Sequence, residues 1–252
     1  MEFHAIYVLW LREIKRYLRS KSRIVGSLTM PILWLVVVGT GINSSFSVPG
    51  ASYLSFICPG IIGMSLLFTS IFAGVSVIWD KQFGFLKEIL VAPVSRTAIV
   101  LGKIAGSTTV SLITATAVMI AAAIVGALPV SRLTFANILF SYLFMILISV
   151  FFVSLGLAIA SRLNNMEGFQ MIMNLLVMPL FFLSGAFFPL NEVPWWMRII
   201  SSADPLMYGV DGLRGILVGM SRFPIMQNLI VLFSFSTVMI LIASYLFNNM
   251  AE

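Results

Sequence analysis

Six stretches of this chain carry no Asp, Glu, Lys or Arg: Ile24–Ile42, Tyr53–Trp79, Ile104–Leu128, Phe135–Ala160, Phe169–Phe188 and Ile225–Phe247. Each is longer than the roughly 18 residues that separate a membrane-crossing helix from a buried core helix. A charge at the centre of such a helix costs about 2.5–3.5 kcal/mol on insertion scales. Their absence names the solvent for which the sequence is written. The pattern predicts an all-α membrane protein with six transmembrane helices, a single transmembrane domain over residues 1–252.

Composition narrows the class further. The chain has 252 residues, 60% of them hydrophobic and only 10% charged, against about 25% charged in a soluble domain. The longest gap between runs, Pro189–Pro224, is too short for an independent enzyme domain. The single cysteine, Cys58, excludes an internal disulfide and a multi-cysteine metal site. The net charge of +6 is explained by placement rather than by nucleic-acid binding. Counted over alternate gaps, eleven Lys or Arg fall on the side of the N-terminus and four on the other. The positive-inside bias then puts both termini in the cytoplasm, for a multi-pass protein of the cell (inner) membrane. No cleavage site follows the first apolar run, so span one is expected to stay in the mature protein.

Local patterns give the remaining elements. Residues 1–23 read as an amphipathic interfacial helix. Phe3, Ile6, Tyr7, Trp10, Ile14, Tyr17 and Leu18 recur at helical spacing, with Arg12, Lys15, Arg16 and Arg19 mostly opposite. Such a basic helix lies flat on the bilayer surface. Pro31 in span one and Pro179 in span five are candidate kinks. Span three is rich in Gly106, Ser107, Thr108, Thr109, Ser111, Thr114 and Thr116, which suits close helix contact; a polar translocation lining is the alternative.

The connection after span two is the most specific segment. In Gln82–Arg96, the residues Phe83, Leu86, Ile89 and Leu90 share one helical face, with Lys87 and Glu88 breaking the surface. Pro93 ends that helix and Ser95 caps the next. The reading is a short, rigid amphipathic helix on the cytoplasmic face, either a connector or a plug for a partner's groove. The stretch QFGFLKEILVAPVSRTAIVLGK, residues 82–103, resembles the permease subunits of type-two ATP-binding-cassette exporters. Gly84, Glu88, Pro93, Ser95 and Arg96 match the family's wording there. Gln82 stands where an acidic residue is usual, and Phe85 where a small polar one is usual.

A second match is LSGAFFPLNEVPWWMRIISSADPLMYGVDGLRGIL, residues 183–217, with Asp204 in place of the family's usual Asn. Its physics is readable directly. Asp204 can cap a helix that has Pro205 at its first position. Asp211 and Arg214, three apart, can pair. Trp195 and Trp196 suit the headgroup boundary. The stretch predicts two half-inserted or surface-lying outer helices.

The chain carries no engine of its own. Its only Gly-Lys pair, Gly102-Lys103, lacks the surrounding phosphate-binding loop. The charge-free runs hold no carboxylate or histidine for ion coupling. Three readings compete: an exporter permease, a channel or ion-driven carrier, and an intramembrane enzyme, for which no nucleophile–base pair is visible. The resemblance implies the first. It implies a homodimer of permeases driven by a separate ABC-type ATP-binding subunit, which binds ATP and Mg so that this chain needs no cofactor. By the same resemblance that subunit couples through Gln82, Phe83, Gly84, Phe85, Leu86, Lys87, Glu88, Pro93, Ser95 and Arg96, and the cargo is a hydrophobic or amphipathic drug, lipid or glycan.

Overall fold

A computed structural model of the protein describes residues 2–42, 52–84, 94–190 and 193–250. All regular structure among these residues is helical. Helix α1 (Glu2–Arg19) is followed by α2 (Lys21–Leu33), a π-helical turn at Trp34–Val38 and α3 (Gly39–Ile42). Next come α4 (Tyr53–Ile71), α5 (Ala73–Gln82), α6 (Arg96–Ile124) and α7 (Phe135–Arg162). The chain continues with α8 (Met166–Leu183), α9 (Trp195–Ser202), α10 (Pro205–Leu217) and α11 (Ile225–Asn248).

Six segments are long and apolar enough to cross a membrane: Lys21–Gly41, Tyr53–Gln82, Arg96–Ile124, Phe135–Arg162, Met166–Leu183 and Ile225–Asn248. They match the six runs in number and order, with two shifts in register. The span-three helix starts at Arg96 rather than Ile104, because Ser95 caps it by accepting from Ala98 N at 3.1 Å. It stops at Ile124, where Gly126 takes a left-handed conformation (φ +79°). Span five likewise closes at Leu183, before Gly185 (φ +71°), rather than at Phe188. Counting charge-free residues misplaces span three because Lys103 lies inside its helix.

Spans two and four form the centre. In their apolar windows 78% and 72% of residues are buried, against 17%, 22% and 22% for spans one, five and six. The central pair cross where neither helix has a side chain. A Cβ on Gly156 would strike the Ile71 carbonyl oxygen, and one on Gly74 the Gly156 oxygen. Small residues allow this backbone approach, on which packing between apolar helices in lipid depends. Pro31 sits inside α2 and lacks the N–H that an unbroken ladder needs. The π-helical turn at Trp34–Val38 follows it directly.

One expectation is corrected and one narrowed. The first concerns α1, which does not simply lie on a surface. Leu9, Glu13 and Tyr17 are buried against α6, and the close approach is through Gly102 and Gly106. A Cβ on Gly106 would meet Glu13 Cβ at 2.8 Å and the Trp10 Cα at 3.2 Å. Phe3, Tyr7 and Leu18 remain exposed on the far side, so the helix has a protein stripe and a lipid-ready stripe. The second concerns α10, which is buried at every residue except Tyr208, so of the two alternatives the surface-lying one is excluded for it and the half-inserted one stands. Its glycines let it in: Gly212 rests on the Phe144 ring and Gly209 on Ile148. Helix α9 keeps the expected exposure, with Trp195 and Trp196 both outward.

Replacing Gly106 by Leu should displace α1 at a cost of about 1–3 kcal/mol for overpacking. Gly26→Ala, where an added Cβ meets nothing within 4 Å, should leave the thermal midpoint of the detergent-purified protein unchanged. Equal midpoints for the two variants would contradict this packing.

Candidate functional site

Charged residues from α1, span two and span three meet in one buried cluster. Asp80, at the end of span two, is 4% exposed; Lys103, on span three, 0%; and Glu13, on α1, 6%. Lys103 Nζ lies 2.6 Å from Asp80 Oδ2, 3.3 Å from Ser76 Oγ and 4.0 Å from Glu13 Oε1. Arg12 clamps the same carboxylate with both terminal nitrogens, Nη2 to Oδ1 at 2.9 Å and Nη1 to Oδ2 at 3.4 Å. Arg16 pairs with Glu13 at 3.2 Å. The basic side of α1 is therefore partly turned inward at Arg12 and Arg16. Buried ions persist only when paired and hydrogen-bonded, and here each carboxylate has at least two cations around it. Lys15 and Arg19 stay exposed.

Hydroxyls extend this junction along span three. Trp10 Nε1 donates to Thr109 Oγ1 at 3.0 Å. Tyr17 OH lies 3.1 Å from both Thr114 Oγ1 and Ser27 Oγ. Ser70 donates to Ser111 at 2.9 Å, and Thr116 meets Tyr142 at 2.8 Å. The polar content of span three thus goes largely into helix–helix hydrogen bonds rather than a lining.

The same face holds both ends of the connection between spans two and three. Phe85, Leu86, Lys87, Glu88 and Pro93 lie outside the described residues. Phe83 is the C-cap of α5 and Gly84 is left-handed (φ +75°); the rest of the helix expected over Phe83–Leu90, with Ile89 and Leu90, lies outside the described residues. On the incoming side Lys81 Nζ donates to the carbonyls of Ala160, Ser161 and Leu163, at 3.1, 2.9 and 3.0 Å. It thereby occupies the free acceptors at the end of span four. Gln82 reaches the Asn164 carbonyl at 3.4 Å. On the outgoing side the Glu2 carboxylate accepts from Ser95 Oγ at 2.6 Å and Ser95 N at 3.0 Å. Those bonds, the Ser95 hydroxyl first, hold the Glu2 carboxyl below its ordinary range. Arg96 donates to the Asn248 carbonyl at 2.8 Å, at the end of span six. The connection is thus tied to α1 and to spans three, four and six.

At the opposite face the outer helices have their own network. Asp204 caps α10 through Oδ1, which accepts from Leu206 N at 2.9 Å, with Pro205 in the first turn. Its Oδ2 is buried without a hydrogen-bond partner, and burial pushes the carboxyl up to about 8. Asp211 and Arg214 make no ion pair with each other, which corrects the expected pairing. Asp211 accepts from Arg222 N, Phe223 N and Asn228 Nδ2. Arg214 donates to the carbonyls of Phe56 and Gly185 and lies 4.0 Å over the Phe56 ring. Burial of α10 makes backbone groups the better partners, and sequence spacing alone does not reveal that.

Sequence reasoning missed the Glu13–Asp80–Lys103 cluster. Its signal was present as the Gly102-x-x-x-Gly106 spacing around Lys103 and the one acidic residue, Glu13, in the middle of a basic amphipathic helix.

Fold and site together define a multi-pass helical membrane protein whose one face anchors a connecting segment from several directions. Residues 4–218 match the family model of the ABC-2 type transporter. The chain belongs to the ABC-2 transporter permease family. It is 30% identical over 201 residues to a chain named transport permease ycf38 from Porphyra purpurea, covering 78% of this chain and 68% of that one. It is 26% identical over 201 residues to nodulation protein J of Rhizobium meliloti (strain 1021), 79% and 75% covered. It is also 26% identical over 235 residues to the inner membrane transport permease YadH of Escherichia coli (strain K12), 92% and 90% covered.

Lys103→Met should destabilise the protein by about 3 kcal/mol, the low end for breaking a buried ion pair, since Arg12 still holds Asp80. The double variant with Asp80→Asn should lose less than the sum of the two single changes; additivity in a double-mutant cycle would contradict the pairing. The raised Asp204 carboxyl contributes stability that is fully present below its ordinary value of 3.8 and lost as pH rises through about 8. Asp204→Asn keeps the capping oxygen and removes the titration. Its thermal midpoint should vary less between pH 4 and pH 8 than that of the wild type.

Proposed function

We propose that this chain is the transmembrane permease subunit of an ATP-driven exporter for a hydrophobic or amphipathic cargo. It works beside a second permease copy and is driven by a separate ABC-type ATP-binding subunit. ATP and Mg belong to that partner, and this chain performs no hydrolysis. The eleven-to-four distribution of Lys and Arg supports placing the α1 face in the cytoplasm, and the name of the YadH relative supports an inner-membrane location.

One observation carries the reading: the two ends of the 85–93 connection are fastened to α1 and to the ends of spans three, four and six. A push on the connection then moves helices rather than a loose loop. In this mechanism Phe85 and Leu86 enter a groove on the partner, while Lys87 and Glu88 meet charges at its rim. Lys81, Ser95 and Arg96 pass the displacement on, and the Asp80–Lys103 bridge keeps spans two and three moving with α1. A second reading, ion-driven carriage, takes its support from the buried Asp80 and Lys103. Both are already compensated within the cluster, which favours a mechanical part.

Glu88→Lys should uncouple the complex. With the ATP-binding subunit reconstituted in vesicles, the variant should insert normally but lose most cargo-stimulated ATP hydrolysis and transport. Full transport by Glu88→Lys, or uphill transport by the permease alone, would reject the assignment.

A further inference from the structure

A cavity of about 630 Å³ lies between α1 and spans one, two, three and five. That volume is in the range of ligand pockets. Its two ends differ chemically. One end is walled by Trp34, Met64, Phe68, Met178, Phe181 and Phe182. Phe68 and Phe181 meet edge to face at 6.4 Å, which gives that wall a fixed aromatic surface. The other end, at the α1 face, holds Arg16, Arg23, Glu13, Tyr17 and Ser27. Met30, Phe72 and Trp79 of its lining are exposed, so the cavity reaches the surface of the bundle beside span one.

Two features of the charged end ask for an anion. The Arg16 Nε is buried with no hydrogen-bond partner, although its terminal nitrogen holds Glu13. Arg23 has no carboxylate partner among the described residues and lies over the Trp79 ring at 5.9 Å. The one carboxylate of the lining, Glu13, is shared between Arg16 and Lys103. Its Oε1 makes no hydrogen bond, but it faces the Lys103 ammonium at 4.0 Å. Two guanidinium groups against one compensated carboxylate leave net positive charge beside unused donors, at the foot of an apolar chamber. A guanidinium fork fits the oxygens of a phosphate better than any neutral group does.

We infer that this cavity binds an amphiphile carrying one anionic, phosphate-type headgroup, with the headgroup between Arg16 and Arg23 and the apolar chain along Phe68 and Phe181. As a cargo site it rests on the export reading; as a binding site it stands on the cavity and its charges alone. The amphiphile enters sideways beside span one, headgroup at the level of α1.

The test is equilibrium binding of labelled hexadecyl phosphate to the full-length protein in phosphatidylcholine nanodiscs, without any ATP-binding subunit. Quenching of Trp34 and Trp79 reports occupancy of this cavity. Hexadecyl phosphate should bind at least about tenfold more tightly than hexadecanol or hexadecyltrimethylammonium, as expected for charge-assisted hydrogen bonds. Inorganic phosphate should compete poorly. Arg23→Gln should remove most of the preference for the phosphate while leaving hexadecanol affinity unchanged. Because Arg23 holds no carboxylate, this variant should keep the wild-type thermal midpoint, which separates lost binding from lost folding. Phe181→Ala should weaken phosphate and alcohol alike. Equal affinity for the three amphiphiles, tighter binding of the cation, or full competition by inorganic phosphate would overturn the inference. Specific binding without nucleotide-dependent transport in the assembled complex would instead sink the export reading and leave the site standing.

Discussion

The structure depends on a buried ion bridge. Lys103 and Asp80 meet at 2.6 Å where almost no solvent reaches, and neither would be tolerated alone in that setting. The bridge joins span three to span two immediately before the chain leaves for the 85–93 connection. Arg12 closes on the same carboxylate from α1. Three elements distant in sequence are thereby locked at one point. The glycines on either side of Lys103 make the lock possible, since only a helix without side chains at Gly102 and Gly106 lets α1 come close enough.

This arrangement gives the N-terminal helix a mechanical meaning. An amphipathic helix held only by lipid would slide and tilt independently of the bundle. Here α1 is bolted by charges in its middle, by Trp10 and Tyr17 along span three, and by Glu2 to the start of span three at Ser95. Its exposed Phe3, Tyr7 and Leu18 still suit the bilayer boundary. The helix can then act as a lever arm that rests on the membrane and moves with spans two and three. The cavity lies directly behind it, with Glu13, Arg16 and Tyr17 forming one of its walls, so any movement of α1 reshapes that wall.

Much of this was legible in the sequence, and the exceptions share a physical cause. The number and order of spans follow from charge-free length, because lipid punishes unpaired charge strongly. Caps follow from residue type, and Ser95 and Asp204 both cap as their positions suggest. What the sequence concealed were decisions made in three dimensions. Lys103 reads as a flanking charge until its partners are known, and that misreading shifted the start of span three. The Asp211–Arg214 spacing permits an ion pair, yet within the buried α10 Arg214 goes to backbone carbonyls and Asp211 to two backbone N–H groups and Asn228. The depth of α10 itself comes from glycines meeting Phe144 and Ile148, contacts between segments that no local pattern connects. The amphipathic nature of α1 was readable; its division into a protein stripe and a lipid stripe was not.

The proposed coupling requires that α1, the end of span two and the start of span three move as one body when the 85–93 connection is pushed. Spin-label distances test it directly. The single native cysteine, Cys58, is buried, so labels can be directed to cysteines introduced at the exposed positions Phe3 and Phe83, and at Met30 and Met178 across the cavity. Through the nucleotide cycle of the assembled transporter, the Phe3–Phe83 distance should stay constant while the Met30–Met178 distance changes. A Phe3–Phe83 distance that shifts with nucleotide while the cavity width stays fixed would contradict the account.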